Sequence, residues 1–238
     1  MILQSDIRYA GLARRYAETV ERIREAEAKY RRTAGSVMLV PAVKYADAGM
    51  IGFLYLNCGL RDIGENRIQS MREHLSGLGE CDGIRVHFIG TLQKNKVKYA
   101  VGKTVLIHSL DSAELADEID KRSAAEGLMT HVLIEINSGG EDSKSGVLPA
   151  DAVRLAEYAA GLDNLSLDGF MTMGPRCDGF DGYYTIFAKT AVLADGIWSN
   201  VLHRSGKPLL SMGMTDSFEA AVAAGADIVR IGKKIFSE

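Results

Sequence analysis

The chain has 238 residues, enough for one large domain, and its 47% hydrophobic and 25% charged residues exclude a disordered or fibrous polymer. A net charge of -3 offers no basic face to nucleic acid, and no apolar run approaches the roughly 18 residues that cross a bilayer. The opening stretch MILQSDIRYAGLARRY lacks the apolar core of a signal peptide, so a cytoplasmic protein with neither a nucleic-acid nor a membrane partner is expected.

From Ser5 to Arg32 the apolar residues Ile7, Ala10, Ala13, Ala17, Val20 and Ile23 fall at helical spacing, with Ser5 as candidate N-cap and Gly35 just past the end. Alternation follows. Short Val, Ile, Leu and Met runs predict strands at Val37–Val43, Gly59–Ile63, Arg85–Ile89, Thr104–His108, His131–Ile136, Leu167–Met171, Pro208–Met212 and Asp227–Ile231. Helical stretches separate them: Asp111-Ser-Ala-Glu114 reads as a capping box opening a helix to Gly127, and Pro149 opens one that stops near Gly161. Seven helices fit between the eight strands, while Lys233 to Glu238 is too short for an eighth, whose outer position the leading helix can fill. The reading is α/β, a (β/α)8 TIM barrel with an N-terminal extra helix: residues 1–238 form one domain, and 1–35 pack on the barrel. A doubly wound open sheet is the alternative, disfavoured by the strand count and the lack of GxGxxG after the first strand. Cys58, Cys81 and Cys177 match neither a disulfide framework nor a zinc spacing, and no metal site is expected.

In such a barrel, ligands bind at the C-terminal ends of the strands, and phosphate often binds after strands seven and eight. Here those ends carry Ser211-Met-Gly-Met-Thr215 and Arg230-Ile-Gly-Lys233, with a helix beginning near Ser217. Gly213 and Gly232 would let backbone N–H groups approach an anion, and Ser211 and Thr215 would add hydroxyls; alternatively both glycines only turn the chain. Lys44 ends the apolar run Val37-Met-Leu-Val-Pro-Ala-Val43. Either it reaches solvent, or it is a desolvated amine able to form a Schiff base with a phosphorylated aldehyde, of which pyridoxal 5′-phosphate (PLP) is the commonest cofactor.

The blocks around Lys44, Gly64-Glu-Asn-Arg-Ile-Gln69, His87-Phe-Ile-Gly-Thr-Leu-Gln-Lys-Asn-Lys96, Ile107-His-Ser-Leu-Asp111, Leu210-Ser-Met-Gly-Met214 and Val229-Arg-Ile-Gly232 resemble the pyridoxal phosphate homeostasis proteins, in that family's order. The resemblance implies a barrel like the N-terminal domain of alanine racemase. It implies PLP held as an internal aldimine on Lys44, and a role in holding and buffering the cofactor without robust catalysis. By position, Ser211, Gly213 and Gly232 resemble the phosphate ligands and Arg230 the arginine facing the pyridine nitrogen. Asn66 and Met212 complete the expected cofactor set, no catalytic residue is assigned, and His87 is expected to line the pocket or support it. Met171 and Met173 are further candidates for packing on the ring. Where the family reads Val-Ser-Lys-Thr, this chain has Ala42-Val-Lys-Tyr45. The implied partners are PLP and PLP-dependent apoenzymes, and a monomer or weak dimer is expected.

Two enzymatic readings stand beside this one. A PLP-dependent amino-acid racemase would need a second base, for which Tyr45 and Tyr55 are the nearest candidates, and a Schiff-base aldolase would need a carboxylate such as Glu65 or Asp62.

Overall fold

The computed structural model describes residues 4–30, 32–79, 81–141 and 145–237. Its eight strands are β1 (Met38–Pro41), β2 (Asp62–Glu65), β3 (Arg85–Phe88), β4 (Leu106–Leu110), β5 (Thr130–Glu135), β6 (Leu165–Thr172), β7 (Leu209–Met212) and β8 (Ile228–Ile231). All pair in parallel in the order β1-β8-β7-β6-β5-β4-β3-β2. The remaining gap, between β1 and β2, is bridged by Ala42 and Gly64, with Val43 N–H donating to the Gly64 carbonyl at 3.0 Å. The barrel is therefore nearly closed, as the strand count predicts.

Seven of the eight predicted strands overlap their observed positions by most of their length or shift by two residues. The second moves further: Gly59 is not strand but the left-handed cap (φ 73°) of helix α2 (Ala48–Cys58), and the strand begins at Asp62. Glycine is the residue that takes this conformation without strain, which explains its place at the helix end. The leading helix α1 (Gln4–Lys29) already includes Gln4, so Ser5 is not its N-cap. Helix α4 (Ala113–Glu126) starts one residue later than the capping box suggests, because Ser112, not Asp111, accepts the Leu115 N–H. Between β3 and β4 the expected α-helix is a 3-10 helix, Lys94–Tyr99. Among the described residues only a single helical turn, Lys233–Phe236, follows β8.

Strand periodicity separates two environments. Val86, Phe88, Ile107, Ile134, Ile136, Leu210, Met212, Val229 and Ile231 face the outer helices and join one large apolar core. Their inward neighbours include a small apolar layer of Val40, Leu106, Leu133, Met171 and Ile228, and above and beside it a set of buried polar residues. Helix α1 is tied to the bottom of the barrel by Glu27, only 1% exposed, whose carboxylate accepts the Val37 N–H at 2.6 Å and the Gly35 N–H at 2.9 Å. Burial pushes this carboxyl up, but these bonds and the one from Arg24 outweigh it and hold it below the usual range. Among the described residues no helix is long and apolar enough to cross a membrane.

Candidate functional site

A cavity of about 880 Å³ opens over the C-terminal ends of the strands, lined in part by Asn66 after β2, Gly90 and Thr91 after β3, Glu135 on β5, Met173 after β6 and Met214 after β7. Its walls need small residues: a Cβ on Gly90 would lie 2.1 Å from the Asn66 carbonyl oxygen. Asn66 Oδ1 is buried at this cavity and meets no donor, an arrangement costing roughly 1–3 kcal/mol unless a ligand supplies one.

Beneath the cavity the inward positions are polar. Arg230 on β8, 3% exposed, donates from Nη1 to Ser211 Oγ at 2.6 Å and from Nη2 to the Thr172 carbonyl at 2.9 Å. Its Nη2 also lies 3.6 Å from Met173 Sδ, which places the guanidinium directly under the cavity wall. Burial pulls the Arg230 pKa down to about 10, opposed only in part by the Glu135 carboxyl, so the group remains a cation near neutrality. Among the described residues, every hydrogen-bond partner of this cation is neutral.

Ser211 is also 2.9 Å from His108 Nδ1, His108 Nε2 is 3.0 Å from His87 Nδ1, and His87 Nε2 is 3.1 Å from Asp62 Oδ1. Arg85 closes the far end, its Nε donating to Asp62 Oδ1 at 2.8 Å. Burial pushes the Asp62 carboxyl up, but hydrogen bonds from His87 and Arg85 outweigh it and leave it below the usual carboxylate range. Burial drives His108 well below the ordinary histidine value, helped by the nearby His87 and Arg230. Glu135 goes the other way: burial first, then the Asp111 charge, push it up to about 7, with Arg230 opposing.

The expected site residues are only partly brought together. Arg230 and Ser211 are in direct contact, and Asn66 lines the cavity. Lys44 lies in the exposed turn after β1, at the same rim, with Nζ 4.7 Å from the Tyr45 ring centroid. Met212 packs with its side chain in the outer core, so only its backbone faces the rim. Gly213 has φ 91°, and a Cβ there would lie 2.6 Å from Ala221 Cβ; on Gly232 it would lie 2.4 Å from the Ala42 carbonyl. Both glycines are buried, and each is required by the chain's own packing. Thr215 lines a separate cavity with Arg22 and Phe180, and Ser217 Oγ accepts the Met214 N–H at 3.1 Å. Met171 belongs to the lumen layer, below the cavity that Met173 lines.

Of the acid/base candidates from sequence, Tyr45 stays beside Lys44 at the rim and the other three sit elsewhere. Glu65 accepts from His74 Nδ1 at 2.6 Å, on the side of helix α3 (Ile68–Gly77), and Asp62 lies at the N-terminal end of β2. Tyr55 OH accepts the Gly83 N–H at 3.3 Å, outside the barrel. Sequence reasoning missed His108 and Glu135. Each is a polar residue inside an apolar strand run, flanked by outward-facing Ile107 or by Ile134 and Ile136, and that alternation was the available signal.

A profile of the family described as "Alanine racemase, N-terminal domain" matches residues 19–237. The pyridoxal phosphate homeostasis protein of Aquifex aeolicus is 41% identical over 224 residues, covering 94% of this chain and 96% of the relative. That of Deinococcus radiodurans is 39% identical over 217 residues, covering 90% and 96%. Among solved structures, an unknown protein from Bifidobacterium adolescentis superposes with TM-score 0.87 at 35% identity, covering 97% of this chain and 96% of that one. PipY of Synechococcus elongatus, solved with PLP bound, gives TM-score 0.79 at 28% identity, covering 90% and 100%. An alanine racemase of Clostridium difficile, at 13% identity and TM-score 0.71, shares the fold over 57% of its own length.

Proposed function

The chain belongs to the pyridoxal phosphate homeostasis proteins, within the alanine racemase N-terminal domain family, and from that premise we propose that it binds PLP at the C-terminal rim and holds it in reserve. The observation that carries this reading is Arg230: a buried cation with only neutral hydrogen-bond partners, set under an open cavity. Such a group suits a neutral or anionic acceptor arriving from above, and a pyridine nitrogen is one. The orphaned Asn66 Oδ1 at the cavity wall offers an acceptor to a donor on the bound molecule.

When bound, PLP supplies an aldehyde that condenses with an amine and a ring that draws electrons from whatever is attached there. Lys44 provides the amine, and its place on a short exposed turn lets the side chain swing over the rim. Arg230 would face the ring nitrogen and, being a cation, would disfavour its protonation, an arrangement that suits storage over turnover. Ser211, the Met212 backbone, Gly213 and Gly232 flank the phosphate position at the ends of β7 and β8. The chain acts as one PLP-holding unit, monomeric or weakly dimeric, working in the cytoplasm and passing cofactor to apoenzymes that need it.

A second reading, an amino-acid racemase, draws on Glu135, a rim carboxyl half-ionised near neutrality and therefore able to accept or give a proton there. The purified protein should be yellow, and borohydride reduction followed by peptide mapping should place the adduct on the Lys44 peptide. Lys44→Ala should abolish the absorption band while the fold survives. A colourless protein that takes up no added PLP would remove the function, and rapid deuterium exchange at Cα of an added amino acid would favour the racemase.

A further inference from the structure

The hydrogen-bonded chain through the lumen joins two openings. Asp62 and Arg85 line a cavity of about 460 Å³ beneath α1 at the N-terminal mouth, whereas Arg230 meets Met173 at the C-terminal rim. Between them His108 reaches from β4 across the lumen to Ser211 on β7. Solvent at the bottom is therefore connected to the rim by side chains alone.

The donors in this chain have a determined direction. Asp62 is ionised and can only accept, so the hydrogen of a neutral His87 sits on Nε2. Its Nδ1 is then bare, and the 3.0 Å contact places the His108 hydrogen on Nε2. His108 Nδ1 is in turn bare, and the 2.9 Å contact requires the Ser211 hydroxyl to donate to it. Arg230 Nη1, which can only donate, occupies a lone pair of the same oxygen. Every hydrogen thus points from Arg230 toward Asp62.

We propose that Asp62, His87, His108 and Ser211 form a proton relay linking the rim site to the Asp62–His87 pair, and that its state sets the direction of the Ser211 hydroxyl. One proton arriving at Ser211 Oγ displaces the serine's own hydrogen to His108 Nδ1, while the hydrogen of His108 Nε2 passes to His87 Nδ1. The serine, both histidines and the arginine end with intact valences, and the added charge rests on His87 beside the Asp62 carboxylate. In that state the Ser211 oxygen accepts from both Arg230 and His108, so its hydrogen turns away from the lumen to an anionic oxygen at the rim, such as a phosphate. His108 remains neutral throughout, in keeping with its burial and the positive charges of His87 and Arg230. The charged and titratable groups facing the relay are Tyr16 on α1, Cys58 at the end of α2, Arg61 and Asp62 at the start of β2, Arg85 on β3 and Arg230 on β8, with Glu135 on β5 acting on Arg230 and Asp111 after β4 acting on Glu135. His87, His108 and Ser211 are positioning residues here: they act on the rim through the orientation of one hydroxyl. Only the identity of the rim ligand rests on the PLP reading; the relay itself does not.

The test is nitrogen-15 NMR of the histidine rings in cofactor-free protein across pH. The expected result is His108 bearing its hydrogen on Nε2 at alkaline pH and on Nδ1 once His87 charges. A hydrogen on His108 Nδ1 in the alkaline protein, or one that stays on Nε2 after His87 charges, would overturn the relay. Loading with PLP should then raise the pH at which the histidine pair charges by about one unit, a tenfold linkage between rim and relay. Ser211→Ala, with its loading verified by the absorption band, should abolish that difference between loaded and free protein while both rings still titrate; a difference that survives would sever Ser211 from the linkage and sink the proposal. Failure to bind PLP with the tautomer exchange intact would remove the storage function and leave the relay standing.

Discussion

Glu135 and Arg230 occupy one lumen with opposite solvation problems. The arginine keeps its charge because even a value lowered to about 10 lies far above neutrality. The glutamic acid does not, and its proton leaves only near pH 7. The folded chain therefore holds this proton more tightly than the unfolded chain does, so the associated stability is complete below the unfolded carboxyl range and is lost as pH rises toward 7. Glu135→Gln, neutral at every pH, should match the wild type near pH 4 and exceed it above pH 7 by on the order of 3 kcal/mol, as read by urea unfolding at both pH values. Equal stabilities at high pH would mean that the carboxyl is solvated and titrates normally. Legibility at this scale followed direction along the strand. Residues after a strand end, such as Asn66 and Gly232, were accessible to sequence reasoning. Residues within a strand, such as His108 and Glu135, were hidden by their apolar neighbours, and only the pairing of strands shows that they meet.

The elements were legible where their ends carry a chemical signal. Gly127 ends α4 in the left-handed conformation (φ 64°) with its N–H donating to the Ala124 and Ser123 carbonyls, and it was readable as a terminator. The N-terminus of α4 was readable to within one residue, since Asp111 and Ser112 are both competent caps and only the backbone geometry chooses between them. Ser112→Ala should cost about 1 kcal/mol in thermal or chemical unfolding, and Asp111→Ala much less. Strand β2 was harder because Asp-Ile-Gly-Glu has one strong strand former, and the strand exists through its neighbours: Asp62 pairs with Arg85, and Gly64 admits Ile89 and Val40 at contact distance. That α1 packs on the barrel was legible from its apolar spacing, but the polar contact that fixes it was not. It depends on Glu27, one of many glutamates in an ordinary amphipathic helix, meeting two backbone N–H groups that precede β1. Glu27→Ala would leave both donors buried without an acceptor and should destabilise the fold by about 3 kcal/mol, whereas Glu27→Gln should lose less. A cost below that of an ordinary surface substitution would show that water replaces the carboxylate.

For the whole molecule, eight strand-like runs with a crossover between each pair require a parallel α/β fold and favour a barrel over an open sheet, and the strand pairing shows the closure. What the count does not specify is how evenly the cylinder closes. Strands β5 and β6 share six register pairs from Thr130↔Leu165 to Glu135↔Met171, and β7 and β8, with the single pair Ser211↔Ile228, are tied further by the Asp227 and Arg230 amides donating to the Leu210 and Gly213 carbonyls, while β1 and β2 share only the isolated bridge at Ala42 and Gly64. Local opening follows the weakest set of hydrogen bonds. The Val43 amide should therefore exchange with deuterium well before that of Ile134, and equal protection at the two places would show a uniformly closed cylinder.

That weak seam lies one residue from Lys44. A barrel fastened this way resembles a cuff with one stitch, and anything anchored to the turn after β1 and also to the end of β8 would add a second. Loading would tighten the cuff and emptying would loosen it, so the mechanical state of the wall would report whether the store is full.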